Sequence, residues 1–177
     1  MTAKTISLVA GGARSGKSAF ALAHARVLGS RPALLATAEA LDGEMRARIA
    51  QHRAERPESW RTVEEPIALR SALASVEPDA CVVVDCLTLW VANLLARGDV
   101  VLPEAEAVAE LAAERLAPTI VVSNEVGLGI VPASAVAREY RDLLGAVNAA
   151  FVRRAADAAF VVAGRAIPLQ PEWRPGA

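Results

Sequence analysis

An unbroken run, Gly11, Gly12, Ala13, Arg14, Ser15, Gly16, Lys17 and Ser18, has the spacing G-x-x-x-x-G-K-[ST], that of a phosphate-binding loop. The chemistry follows from the residue types. Glycines let the main chain wrap with its N–H groups turned inward, and a helix opening at the end of the loop adds partial positive charge facing the phosphates. Lys17 stands where it reaches the β- and γ-phosphates, and the Ser18 hydroxyl where it ligates Mg²⁺. Of the 19 basic residues only Lys4 and Lys17 are lysines; the rest are arginine. A chain nearly free of lysine still puts one where the terminal phosphate would lie. Nucleotide binding is therefore expected.

Such a loop works with a carboxylate at the end of a neighbouring buried strand, on the metal side of the phosphates. Asp85 closes the apolar run Val82-Val83-Val84 and is the expected metal-side acid beside Ser18. A plainer role for Asp85 is to cap the helix that starts near Thr88. Glu64, Glu65 and Glu125 also follow strand-like segments; they compete for the metal or could touch ribose or base.

His52 lies in a segment carrying Arg46, Arg48, Arg53 and Arg56. At 3.6 residues per turn, positions 48 and 52 share a helix face, with 56 next if the helix continues. An imidazole on a cationic stripe suits a second phosphate site, and its neutral form at pH 7 is a nucleophile toward phosphorus. The ordinary alternative is a solvated basic face with an incidental histidine. His24, inside the helix after the loop, reads as packing or surface.

Positioning these groups takes strands and helices in alternation, and the pattern supplies them. Strands are expected at 5–10, 33–38, 60–63 (brief), 80–85, 119–123 and 159–163, with 165–169 returning as an edge. Helices are expected at 18–28 (stopped by Gly29 and Pro32), 41–53, 67–76, 88–97, 103–116 and 133–156, the last broken near Gly145. Glycines mark the loop at 124–132. The fold class this implies is α/β, a P-loop domain with a mostly parallel central sheet flanked by helices. No repeat, low-complexity linker or break in composition divides residues 1–177, so one domain is expected.

Composition narrows the function classes. The 177 residues are 54% hydrophobic and 22% charged, with a net charge of −1, which excludes a disordered chain. No long basic block marks a nucleic-acid partner. No apolar run approaches the ~20 residues of a membrane span. The N-terminal apolar stretch passes straight into glycines and charge, a strand rather than a signal peptide, so a cytoplasmic location is expected. Cys81 and Cys86 then read as reduced core thiols.

Beyond the loop, ATA (Ala36, Thr37, Ala38), DGEMRARIAQHRAERP (42–57), WRTVE (60–64) and SNEVGLGIVP (123–132) follow in order. Together they resemble the bifunctional adenosylcobinamide kinase/adenosylcobinamide-phosphate guanylyltransferase family, over nearly the whole chain. SNEVGLGIVP and the RI-x-x-H-x-x-x-RP pattern around His52 are far more specific than the loop, which many unrelated enzymes share.

The resemblance implies two reactions. ATP or GTP phosphorylates the aminopropanol hydroxyl of adenosylcobinamide. GTP then gives GMP to that phosphate through a GMP–histidine phosphoramidate, leaving adenosylcobinamide-GDP and pyrophosphate. The histidine maps to His52; some relatives carry a His-His pair where this chain has Gln51-His52. Nucleotide contacts carry over to Gly11–Ser18, Ala36–Ala38, Arg53, Ala54, Glu55 and Arg56, and to Glu64 and Asp85. Many relatives have Glu at the last position. A homotrimer is also implied, with the histidine helix swinging relative to the loop. A P-loop kinase of another metabolite, with phosphoryl transfer only, is the competing reading. It explains Lys17 and Asp85 but leaves His52 without a task. A non-catalytic nucleotide-dependent assembly module would use the loop alone.

Overall fold

The computed structural model describes residues 6–28, 32–40, 43–54 and 60–169, apart from the side chains of Glu44, Arg48, Gln51 and His52. Expectations that fall on Thr5, Gly29, Leu41, Asp42, Glu55, Arg56 and Pro57 lie outside the described residues, as do those on the side chains of Arg48 and His52.

In chain order the elements are β1 (Ile6–Gly11), α1 (Lys17–Leu28), β2 (Ala33–Ala36), α2 (Gly43–Ala54), β3 (Arg61–Glu64), α3 (Leu69–Ala74) and β4 (Val82–Asp85). There follow α4 (Leu87–Arg97), α5 (Val101–Glu114), β5 (Thr119–Asn124), α6 (Ala135–Arg154), β6 (Asp157–Val162) and β7 (Arg165–Pro168). The strands form one sheet in the order β3-β2-β4-β5-β1-β6-β7. All neighbours are parallel except β6 and β7, an antiparallel hairpin. The expected α/β class with a mostly parallel sheet is what the chain adopts.

Strict period-two alternation divides the sheet between two cores. Ile6, Leu8, Val82, Val84 and Val121 point to one face, where α3, α4, α5 and α6 cover them through residues such as Leu73, Trp90, Val108 and Phe151. Val9, Leu34, Val83, Ile120 and Val122 point to the other, where α1 packs through Ala21 and Ala25. Small residues on α1 let it lie close on the sheet. The strands at the centre are apolar on both sides, as parallel strands covered on both faces must be.

Several boundaries shift for physical reasons. Helix α5 starts two residues before Pro103, because a proline in the first turn lacks only an N–H that has no helical acceptor. Helix α6 runs through Gly145 without a break. Leu144, Val147, Asn148 and Phe151 form a buried stripe there, and that packing outweighs the ~1 kcal/mol cost of an interior glycine. Helix α4 ends where Gly98 takes φ +78°; Gly98 N–H and Asp99 N–H donate to the carbonyls of Leu95 and Leu94. Strand β2 stops at Ala36, two residues early, because Thr37 turns its hydroxyl onto the main chain of Cys86.

At the amino-terminal edge of the sheet the fold is closed by Arg115. Its guanidinium is buried and donates to the carbonyls of Leu73, Val76, Glu77 and Ala80 at 2.8–3.2 Å. These are the carbonyls that end α3 and the turn after it, so the arginine does the work of a C-cap. Burial pulls its pKa below the ordinary arginine value, partly offset by Cys81, Asp79 and Glu77.

Candidate functional site

The carboxyl ends of the parallel strands carry the site, as in open α/β sheets generally. Gly11, Ala36, Asp85 and Asn124 all end strands, and all fall on the face that α1 covers, two residues beyond Val9, Leu34, Val83 and Val122 respectively. Four positions far apart in the chain thus come together by strand order and alternation alone.

The loop from Gly12 to Gly16 joins β1 to α1. Arg14 at φ +55° and Gly16 at φ +96° supply its left-handed turns; glycine takes that conformation without strain. Gly11 has no room for a side chain, since an added Cβ would lie 2.4 Å from the Val161 carbonyl oxygen. The loop is also braced from outside. Gly164 N–H, in the β6–β7 turn, donates to the Ser15 carbonyl at 2.9 Å. That hairpin was legible as a returning edge strand, but not as a support for the loop.

Lys17 is buried, and its Nζ donates to the Gly12 carbonyl at 3.0 Å. The ammonium is thereby held against the loop's own main chain. Ser18 Oγ donates to Asp85 Oδ1 at 3.4 Å. A hydroxyl and a carboxylate meeting at the first turn of α1 are two hard oxygen donors, the type Mg²⁺ takes when phosphates and water complete its shell. The residues present fit that ion.

The competing acids separate cleanly. Glu65 Oε1 accepts from Ile67 N–H and Ala68 N–H, shaping the entry to α3. Glu125 Oε1 accepts from Gly127 N–H within its own loop. Glu64 faces the site instead: Arg53 Nε donates to its Oε1 at 2.9 Å, and the guanidinium Nη2 adds a second, shorter bond. This pair ties α2 to β3 while both side chains stay about half exposed.

A cavity of about 450 Å³ joins these groups. One wall is Lys17, Ser18, Asp85 and Asn124; a second is Ala36, Ala38 and Ala40; the third is α2, through Met45, Arg46, Ile49 and Arg53, with Glu64 beside it. Met45, Ile49 and Arg53 succeed one another at four-residue steps on one helix face. Position 52 is seven residues from Met45, which brings it within about 20° of the same stripe. Ala54 lies at the exposed end of α2. Thr37 is fully buried and outside the lining; its hydroxyl donates to Cys86 O at 2.7 Å and accepts from Cys86 N–H at 3.0 Å. The segment 36–38 therefore offers alanine methyls and main chain to a ligand, not a hydroxyl.

Cys86 also lines the cavity. Burial, then the neighbouring Asp85 charge, pushes its thiol pKa up, so it stays a neutral wall rather than a nucleophile. Sequence reasoning passed over Met45, Arg46, Ile49 and Leu89 as lining residues and left Asn124 without a role. Period-two alternation in TIVVSN is the signal that turns Asn124 to the same face as Val122.

Residues 7–169 match the family described as cobinamide kinase / cobinamide phosphate guanyltransferase. A protein of Pseudomonas aeruginosa, bifunctional adenosylcobalamin biosynthesis protein CobP, is 47% identical over 171 residues, covering 93% of this chain and 97% of its own. The Escherichia coli protein of the same description, CobU, is 37% identical over 182 residues, covering 92% and 98%. Among solved structures, the assembled ATPase EscN of an enteropathogenic E. coli secretion system is similar with TM-score 0.60 at 11% identity, over 90% of this chain and 43% of that one. The RadB recombinase is similar with TM-score 0.52 at 20% identity, over 88% and 73%. The two structures speak for the fold alone. No helix among the described residues is long and apolar enough to cross a membrane.

Proposed function

The chain belongs to the cobinamide kinase / cobinamide phosphate guanyltransferase family, and from that premise we propose how its residues divide the two reactions of this bifunctional enzyme. The substrate is adenosylcobinamide, and one domain, residues 1–177, carries both steps. The observation that supports the reading is the shared cavity: Lys17 and Ser18 of the phosphate loop and α2, through Met45, Arg46, Ile49 and Arg53, wall the same space.

In the kinase step ATP or GTP lies with its β- and γ-phosphates against Lys17 and the loop N–H groups, with Gly11, Gly12, Ala13, Arg14, Ser15 and Gly16 forming the cradle. Ser18 and Asp85 hold Mg²⁺, whose charge offsets that of the phosphate oxygens when it is bound. Proximity and fixed positive charge do most of the work in such a transfer. The corrinoid hydroxyl attacks the γ-phosphorus in line, and the β–γ bridging bond breaks to release the nucleoside diphosphate.

In the second step the neutral imidazole of His52 attacks the α-phosphorus of GTP. A P–N bond forms, the α–β bridging P–O bond breaks, and pyrophosphate leaves against Lys17 and the loop. An oxygen of adenosylcobinamide phosphate then attacks the same phosphorus, the P–N bond breaks, and adenosylcobinamide-GDP is released. Splitting one transfer into two displacements is the gain a covalent histidine brings. Arg53, with Ala54, Glu55 and Arg56 after it, lies beside the attached GMP, and Glu64 orients Arg53 or the nucleoside.

A homotrimer in the cytoplasm is the setting we propose. What supports assembly is an exposed apolar run after β5, with Leu128, Ile130, Val131 and Val136 all well over half exposed, of the kind that marks contact surfaces.

The test labels GTP separately at the α- and γ-phosphates, with Mg²⁺, and asks which label stays on the protein after denaturation. Acid-labile α-label on the wild type and none on His52→Ala is the expected result. No covalent α-label with nucleotide binding intact would overturn the GMP–histidine step and leave phosphoryl transfer alone.

A further inference from the structure

Strand β6 pairs with β1 as far as Val161 and Gly11, so the start of the phosphate loop is set by that strand. The hairpin then turns through Ala163 and Gly164, at φ +50° and +74°, and returns as β7 with Arg165 opposite Val162. Two left-handed residues in succession make the two-residue turn that suits antiparallel strands. Alanine resists that region, so the turn keeps this shape at a cost. Such a turn closes with the N–H of the residue after it, which leaves the N–H of Gly164 unused by the hairpin. It donates instead to the Ser15 carbonyl at 2.9 Å. The two main chains lie against each other: a Cβ added at Gly16 would stand 3.3 Å from Gly164 Cα.

The contact falls on one peptide unit. The Ser15 carbonyl and the Gly16 N–H belong to the same planar trans peptide and point in opposite directions. With the carbonyl turned to the hairpin, the Gly16 N–H points away from it. Little else in the loop fixes that choice. Glycine accepts either sign of φ, so the unit could turn over at Gly16 without steric penalty there. Ser15 N–H donates to the Gly12 carbonyl at 3.3 Å, but that bond holds the preceding peptide. Ser15 Oγ is buried with no hydrogen-bond partner among the described residues, so the side chain does not anchor the unit either.

We propose that Gly164 is a positioning residue of the phosphate site: its N–H holds the Ser15–Gly16 peptide in the orientation that offers the Gly16 N–H to the bound phosphates. Turned over, the same peptide would set a carbonyl against phosphate oxygens, replacing attraction by repulsion. The hairpin does this from outside, since none of its residues lines the cavity among the described residues. A donor fixed before the ligand arrives is what preorganised stabilisation requires. The carboxyl-terminal hairpin is thus part of the phosphate site without touching the nucleotide.

This inference rests on the phosphate-loop reading of the cavity, but not on the histidine step. The experiment replaces the Gly164 amide by an ester in the full chain, with glycolic acid in place of glycine, which deletes the N–H and leaves the turn free to keep its shape. Binding of the β,γ-imido analogue of GTP with Mg²⁺ is measured by calorimetry below the melting temperature, in the His52→Ala background so that no guanylylation intervenes. The ester protein should bind about 10-fold more weakly, since a hydrogen bond to a charged group is at stake. Gly164→Asn keeps the N–H in a residue that tolerates the left-handed region, so it should bind within about twofold of the glycine protein. An ester protein that melts lower but binds equally well would reduce the contact to a structural brace and overturn the proposal. So would an asparagine variant that binds as weakly as the ester protein. A glycine protein that binds no nucleotide would overturn the phosphate-loop reading and this inference together, whereas equal binding by glycine and ester proteins would overturn this inference alone.

Discussion

Replacing Gly11 with alanine sets a methyl group 2.4 Å from the Val161 carbonyl oxygen and 2.7 Å from Ser15 Oγ. The first is about 1 Å short of the 3.4 Å at which ordinary contact begins. Neither neighbour yields easily. Gly11 is paired on one side with Asn124 in β5 and on the other with Val161 in β6, so relief must come from moving a strand end or the loop. Overpacking of this kind costs about 1–3 kcal/mol. At roughly 2–4 °C per kcal/mol for a chain of this size, the melting temperature falls by about 2–12 °C. A shift of the loop by an ångström also moves Lys17 from the place proposed for it against the phosphates, and misplacement on that scale costs on the order of 10²-fold in turnover. Gly12 is the internal control, because an added Cβ there meets nothing within 4 Å. Gly12→Ala should stay within ~0.5 kcal/mol of the wild type. Thermal melting of both variants, with the kinase turnover of Gly11→Ala, decides the matter. Equal destabilisation by the two substitutions, or a Gly11→Ala protein as stable and active as the wild type, would refute the steric argument.

Arg115→Met removes a buried cation that holds four carbonyls and leaves those acceptors unpaired, so urea denaturation should show a loss of about 1–3 kcal/mol. The arginine lies at the opposite end of the sheet from the cavity, and turnover per folded molecule should change less than about twofold; a variant as stable as the wild type would discredit the capping role. Thiol chemistry gives a pH test. Burial raises the Cys81 pKa to about 11 and that of Cys86 upward as well, so folding favours the protonated thiols. Their contribution to stability is complete below about pH 8.5 and falls as pH rises toward the folded values. At pH 8 a thiol reagent should label neither cysteine at an appreciable rate in the native protein and both in urea; prompt native labelling of either would contradict the burial assigned here.

The alternation of strands and helices, the loop at Gly11–Ser18 and the acid at the end of VVVD were legible in the sequence because each is a local matter. A strand, a glycine turn and a helix start are specified by residues a few positions apart, and apolar runs declare burial wherever they end. The pattern around His52 carried the resemblance to relatives, and its side chain lies outside the described residues. What chain order could not convey is who meets whom. Ser18 meets Asp85 across 67 positions because β4 and β1 end on one face with β5 between them. Glu65 and Glu125 competed with Asp85 in the sequence; in the fold each satisfies nearby N–H groups instead. The support of the loop by Gly164, the latch of Arg53 on Glu64 and the place of Asn124 on the cavity wall depend on strand order and register. Those are set by how the whole sheet buries its two faces, a sum over many weak contacts that no short stretch of sequence contains.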